Sequence, residues 1–236
     1  MSEIFIIRHG QASFGKENYD VLSGRGSEQS RIVAGFLYNR GCRFDAVYSG
    51  TLDRQRRTAE IFRNVYAEKG EALSALSIRE GFDEYDSRRI IEAQIGEMMR
   101  EDPSLEEDVK RIFSDRKSFQ RVFEQAMLRW VSGKYRYEKL ESWEDFQKRV
   151  TSALTGVMKE NGRGRSAVIF ASGGSLSACV QYALDISNEA TMELCWQIVN
   201  TSVTRFRYRD GKITLSVFND YSHLELEGME GLVTYR

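Results

Sequence analysis

Two histidines, three cysteines and a single proline are all that 236 residues contain of those types. Cys42, Cys179 and Cys195 are odd in number and widely spaced, with no CxxC among them. Neither a zinc knuckle nor a disulfide framework is indicated, and the apolar surroundings of Cys179 and Cys195 read as core packing. Two histidines without matching carboxylate spacing give no metal site. Net charge is missing too, since 34 Lys and Arg face 35 Asp and Glu. No global field favours nucleic acid or an anionic membrane, so any basic site has to be local. No run reaches the ~18 apolar residues of a membrane span, and no basic segment leads into an apolar one at the N-terminus. A cytoplasmic protein without membrane or nucleic-acid partners is expected. No G-x-G-x-x-G follows a strand, which speaks against dinucleotide binding. The serine elbow G-x-S-x-G fails around Ser172 because Phe170 takes the first glycine position.

What is there is an ordinary globular composition, 41% hydrophobic and 29% charged. The length suits one large domain, or a domain carrying an insertion. A strand is expected over about 3–8 and, after a loop from Gly10 to Gly26, a helix over 27–39 with Ile32, Val33, Phe36 and Leu37 on one face. A strand at 46–49 leads into a helix over 52–69. Ser77-Ile78 is a short strand candidate. Residues 167–171 form another strand, which Gly173-Gly174 turn into a helix through Leu184. Residues 202–209 and 212–219 read as a hairpin on the two-residue turn Asp210-Gly211. Alternating strands and helices predict an α/β fold: three layers, with a mainly parallel sheet covered on both faces. Ligands of such sheets lie beyond the carboxyl ends of the strands. Arg8-His9, Ser49 to Arg54 and Ser172-Gly173 all follow strand ends and are expected to converge.

Residues 86–160 differ. They are charged, helical in pattern and nearly free of strands. Pro103, followed by Ser104-x-x-Glu107, reads as a capping box. Phe113, Phe119, Phe123, Leu128 and Trp130, and then Trp143, Phe146 and Val150, recur at helical spacing as core-facing stripes. The chain is read as a single domain in which residues 86–140 form a helical insertion or cap.

Ile4-Phe5-Ile6-Ile7 ends in Arg8-His9-Gly10, and this resembles the signature of the histidine phosphatase superfamily, which includes the cofactor-dependent phosphoglycerate mutases. Leu22-Ser23-x-x-Gly26-x-x-Gln29 is similar to that family's first-helix entry. Tyr48-Ser49-Gly50-Thr51-Leu52-x-Arg54 with Thr58-Ala59-Glu60 resembles its second-strand motif, and Ile78-Arg79-Glu80 its acid-bearing segment. Ala171-Ser172-Gly173-Gly174 falls where the family has Ser-His-Gly-Gly. The resemblance covers roughly residues 1–86 and 140–225.

It implies a phosphoglycerate mutase-like fold and a metal-independent phosphatase, without a cofactor, that hydrolyses a small phosphomonoester. His9 would be the nucleophile, holding the phosphoryl group as phosphohistidine. Its attacking nitrogen must be neutral and its other nitrogen fixed by an acceptor. Arg8 and Arg54 would clamp the non-bridging oxygens with planar, permanently charged forks. Ser172, Gly173 and the amide of Gln11 are further phosphate contacts. Glu80 would protonate the leaving oxygen and later take a proton from water, with Glu84 the next candidate. Arg88 and Arg89 either face the site and favour an acidic substrate or are solvated.

Two departures stand out. Ser172 replaces the second histidine, and a serine hydroxyl donates one neutral hydrogen bond without positive charge. The loss of one preorganised donor costs on the order of a hundred- to a thousandfold in turnover. His223 is the candidate substitute imidazole, with a structural role as the alternative. Gly15 after Phe14 stands where the resemblance favours asparagine, which weakens a mutase reading in particular. A catalytically weak phospho-ligand-binding or regulatory protein is the alternative function. Whether the chain forms a homodimer is open.

Overall fold

Alternation along Ile4-Phe5-Ile6-Ile7 sets the architecture. Ile4 and Ile6 join one buried cluster and Phe5 and Ile7 another, as side chains leave a strand to opposite faces. A strand buried on both faces must be covered twice. The computed structural model describes residues 2–13, 20–112 and 114–235. Phe14, Gly15 and Phe113 lie outside the described residues.

In chain order the elements are β1 (Ser2–Arg8), α1 (Gly24–Asn39), β2 (Ala46–Ser49), α2 (Asp53–Glu68), β3 (Leu76–Ile78), α3 (Ser87–Glu101), α4 (Glu106–Lys110), α5 (Arg116–Val131), α6 (Trp143–Asn161) and β4 (Ser166–Ala171). After them come α7 (Gly173–Leu184), α8 (Asn188–Gln197), β5 (Val203–Arg209), β6 (Lys212–Asp220) and α9 (Ser222–Leu226). The six strands run in the order β3-β2-β4-β1-β5-β6. β3, β2, β4 and β1 pair parallel, whereas β5 and β6 are antiparallel additions. The β5–β6 turn is the expected one: Asp210 and Gly211 both take positive φ, 52° and 79°, as a tight primed turn requires.

Val33 and Leu37 of α1 and Phe62 and Tyr66 of α2 cover one face of the sheet. Ile90 of α3, Phe123 and Trp130 of α5, Phe146 of α6 and Leu176 of α7 share a single cluster with Ile4, Ile6 and Ile169 on the other. The helices of the 86–140 segment therefore pack into the same core as the sheet. The helix after β1 and the helix after β4 lie on opposite faces, although β1 and β4 are neighbours in register from Glu3↔Ser166 to Arg8↔Ala171. A crevice opens at such a switch, beyond the carboxyl ends of the two strands.

Three local expectations are corrected. α1 begins at Gly24, not near Ser27, because the Ser23 hydroxyl accepts from the Gly26 amide at 3.0 Å and caps the helix earlier. The Pro103 region has no Ser104 capping box. Asp102 is the cap, accepting from the Ser104 amide at 3.0 Å, because proline at the first position of the 3-10 turn Pro103–Leu105 makes the preceding residue the N-cap. Leu128 is exposed, while Phe123 and Trp130 on the same helix are buried.

Candidate active site

β1 delivers His9 to the crevice. The His9 amide donates to Ala171 O at 2.9 Å, extending the β1–β4 ladder by one step and placing His9 beside Ser172. The side chain is buried. Its Nδ1 lies 2.7 Å from Gly10 O. A carbonyl only accepts, so Nδ1 carries the proton and Nε2 the lone pair. Arg54 Nε donates to that Nε2 at 3.1 Å. Burial, and then the charges of Arg54 and Arg8, hold the imidazole pKa well below 6.5. His9 is therefore a neutral imidazole with a fixed tautomer, poised as a nucleophile requires. The Asn200 amide fixes the backbone from behind, donating to His9 O at 3.0 Å.

Arg8 and Arg54, the two residues expected to act as clamps, both lie beside His9. Arg8 is buried, and its Nη1 donates to Ile198 O. Arg54, in the first turn of α2, is buried as well and pairs through Nη1 with Asp20 Oδ1 at 2.7 Å. Asp20 also accepts from the Asp53 amide at 2.8 Å, which caps α2 from outside the helix. Gly173 opens α7 and is buried; a Cβ there would stand 3.8 Å from Arg8 Nε. Gln11 is tied to α1: its amide donates to Gln29 Oε1 at 2.8 Å and its Oε1 accepts from Ser23 Oγ at 3.0 Å.

The carboxylate that reaches the crevice is Glu84, not Glu80. Glu80 opens a 3-10 turn with its side chain exposed. Four residues on, Glu84 accepts from the Gly174 amide at 2.9 Å, at the N-terminus of α7. Burial raises its pKa above the usual carboxylate range, outweighing the Gly174 amide, Arg54, the Tyr85 amide and Arg8, which all act the other way. A group raised in this way is protonated where an ordinary glutamate is ionised. The approach depends on Gly174, where a Cβ would meet Glu84 Oε1 at 2.1 Å. Glu84 also borders a cavity of about 200 Å³ lined by Tyr85, Arg89, Trp130 and Leu140. Arg89 lines this cavity and donates to Lys139 O at 3.2 Å, whereas Arg88 is exposed and paired with Glu92 at 2.8 Å.

His223 does not stand in for the missing imidazole. It is buried against Phe36, with Nε2 3.2 Å from Thr201 Oγ1. Burial lowers its pKa to about 4. Ser172, also buried, is instead partnered by Gln55, whose Nε2 donates to Ser172 Oγ at 2.9 Å. Gln55, Asp20 and Asn200 are site residues that motif reading missed. Gln55 carried a signal, for it stands four before Ala59 and seven before Phe62 on the buried face of α2.

With this geometry in hand the chain can be placed: it belongs to the histidine phosphatase superfamily (branch 1), whose family model matches residues 4–88 and 84–221. No curated protein sequence matches it. Among solved structures it is similar to phosphoserine phosphatase from Entamoeba histolytica, at 20% identity and a TM-score of 0.65 over 95% of this chain and 100% of that one. It is also similar to a phosphoglycerate mutase from Bacillus anthracis, at 16% identity and a TM-score of 0.63 over 94% of each chain. The alpha-ribazole phosphatase from Shigella flexneri gives 17% identity and a TM-score of 0.61 over 92% of this chain and 96% of that one. At these identities the likeness is one of fold: a mixed, mainly parallel sheet between helical layers, as expected. Among the described residues no helix is long and apolar enough to cross a membrane.

Proposed function

We propose that the protein is a phosphatase of small phosphomonoesters working through phosphohistidine on His9. The observation that carries this reading is the His9 tautomer: the Nδ1 proton is given to Gly10 O and the Nε2 lone pair points at Arg54. On substrate binding, Arg54 and Arg8 take the non-bridging oxygens. The Nε2 lone pair attacks phosphorus, the bond from phosphorus to the ester oxygen breaks, and the Glu84 proton goes to the leaving oxygen. The ring keeps its Nδ1 proton, and Gly10 O stabilises the charge it acquires. In the second step Glu84, now a carboxylate, takes a proton from water. The resulting hydroxide attacks phosphorus, the phosphorus–nitrogen bond breaks, and phosphate leaves with His9 neutral and Glu84 protonated again. Two easier steps replace one hard one, and most of the catalysis is positioning and charge stabilisation.

Membership of the superfamily supports phosphoryl transfer. The phosphoserine and alpha-ribazole phosphatases among the similar structures support hydrolysis of a monoester. Because Glu84 borders the cavity beneath α3 and α5, the leaving group departs towards it. Ser172 supports hydrolysis over mutase activity, since an uncharged hydroxyl retains the phosphoryl group less firmly.

The test is hydrolysis of p-nitrophenyl phosphate with EDTA present, by the unaltered protein and by His9→Ala. Turnover that resists EDTA and disappears in His9→Ala is expected. Equal background rates in both would overturn the reading in favour of a phospho-ligand-binding protein, for which Ser172 is the supporting feature.

A further inference from the structure

We infer that Gln55 and Ser172 act as a pair in place of the second histidine: Gln55 orients the Ser172 hydroxyl so that its proton is given to a phosphoryl oxygen at His9. The inference rests on the phosphatase reading above and adds a positioning residue to it.

Gln55 occupies the first turn of α2, directly after the clamp Arg54, and is fully buried. Its Nε2 donates to Phe82 O at 3.0 Å and to Ser172 Oγ at 2.9 Å. The Phe82 carbonyl only accepts, which fixes which end of the carboxamide is nitrogen. Both Nε2 protons are then committed, and Ser172 Oγ has to be the acceptor. Its own proton remains to be given away. The Ser172 backbone is held as well, its amide donating to Ser175 Oγ at 3.1 Å, while the next strand position over is His9. The hydroxyl thus has one orientation built for it at the place where the phosphoryl group is to be held.

The carboxamide also occupies space. It stands 2.9 Å from Ser172 Oγ, so a longer side chain extending along the Ser172 Cβ–Oγ direction would meet it. On its far side Oε1 lies against Gly50, where a Cβ would come within 2.0 Å of it. Gly50, Gln55 and Ser172 are therefore fitted to one another. Serine at 172 is a coordinated replacement, with a donor dipole standing where a charge would be.

The experiment is a double-mutant cycle on p-nitrophenyl phosphate with EDTA, using Gln55→Met, which keeps the volume and removes the donor, and Ser172→Ala. Ser172→Ala should lower kcat about a hundredfold with KM little changed, as expected for one preorganised donor. Gln55→Met should lower kcat about tenfold, and the double variant should match Ser172→Ala within about twofold, because Gln55 acts through Ser172. Losses that multiply to about a thousandfold would show Gln55 to be acting independently and overturn the pairing. A second pair of variants covers a failure of Gln55→Met to fold. Ser172→His alone should be poorly active, and Gln55→Ala with Ser172→His should exceed either single variant. If Ser172→His alone outperforms the unaltered protein and Gln55→Ala adds nothing, the pairing is wrong. Vanadate affinity, measured by titration calorimetry on the same variants, repeats the cycle without turnover. An unaltered protein that neither hydrolyses the ester nor binds vanadate removes the phosphatase reading and this inference together. Normal hydrolysis with independent losses removes the pairing alone.

Discussion

Replacing Glu84 by glutamine separates proton donation from structure. The carboxamide oxygen of Glu84→Gln can still accept from the Gly174 amide, now 2.9 Å from Glu84 Oε2, so the N-terminus of α7 keeps its partner. What is lost is the transferable proton. A positioned general acid contributes roughly 10²–10⁴ in rate, or about 3–5.5 kcal/mol of barrier. For an alkyl phosphomonoester, whose alkoxide must be protonated as it leaves, kcat should fall within that range. For p-nitrophenyl phosphate the phenolate leaves without a proton, so the first step, read as the burst of nitrophenolate, should slow by less than about tenfold, while steady turnover falls because the second step still needs Glu84 as base. Glu80→Gln, altering an exposed side chain, should leave both rates near normal. The assay is phosphate release from the two substrates across pH. In the unaltered protein, activity on the alkyl ester needs protonated Glu84 and declines as pH rises through its elevated pKa. The low-pH limb reports protonation of His9 and lies below the usual histidine range, because burial and the two arginines depress that pKa. Glu84→Gln should keep the acid limb and lose the basic one. Equal slowing of the first step on both substrates, or a larger loss from Glu80→Gln, would refute the assignment.

Two further expectations concern stability and fit. His223 is held near pKa 4 against a reference of 6.5 by burial, a depression of about 3 kcal/mol at 1.36 kcal/mol per unit. A depressed pKa gives stability that is present above the unfolded value and lost as pH falls through the folded one. Urea midpoints should therefore drop between pH 6.5 and 4, and His223→Gln should flatten that slope while leaving turnover at neutral pH intact; an unchanged slope would sink the argument. Gly174→Ala places a methyl 2.1 Å from Glu84 Oε1 and 2.4 Å from Tyr85 Cε1, so it should cost about 1–3 kcal/mol in thermal unfolding and lower alkyl-ester turnover as Glu84→Gln does. Full activity in Gly174→Ala would show that Glu84 is not held where the chemistry needs it.

Features decided by a single period or a single junction are legible in the sequence. Ile4 to Ile7 reads as a strand buried on both faces, and Asp210-Gly211 reads as a primed turn, because each is decided by neighbours in the chain. Arg8, His9, Arg54 and Ser172 were legible from motif order, since strand ends in a parallel sheet converge on one edge. Glu84 was not separable from Glu80. Both lie on one short segment after β3, and only the packing of Tyr85 and Gly174 decides which carboxylate turns inward. Gln55 was hidden for a related reason. Its partners, Phe82 and Ser172, are 27 and 117 residues away, and no local pattern announces a hydrogen bond across three elements. Asp20 caps a helix that begins 33 residues later, where capping rules look only to the residue next door. His223 is the opposite case: a scarce residue type suggested chemistry, and the fold spends it on packing against Phe36 and Thr201.

The charges explain why an uncharged pair suits residue 172. Arg8 and Arg54 bring two fixed positive charges into a buried crevice. Burial favours the neutral form of both titratable groups beside them, lowering the pKa of His9 and raising that of Glu84. On the proposed function, the two arginines are the positive charges that meet a phosphoryl dianion. Asp20, partly exposed at the edge, pairs with Arg54. A protonated histidine at residue 172 would add a third positive charge and hold the phosphoryl group harder, which serves an enzyme that must hand the same group back. The dipole of Gln55, relayed through the Ser172 hydroxyl, orients the group without deepening that hold, so water competes for it more readily. On this reading the histidine that the chain lacks and the hydrolysis it is proposed to perform are one adaptation.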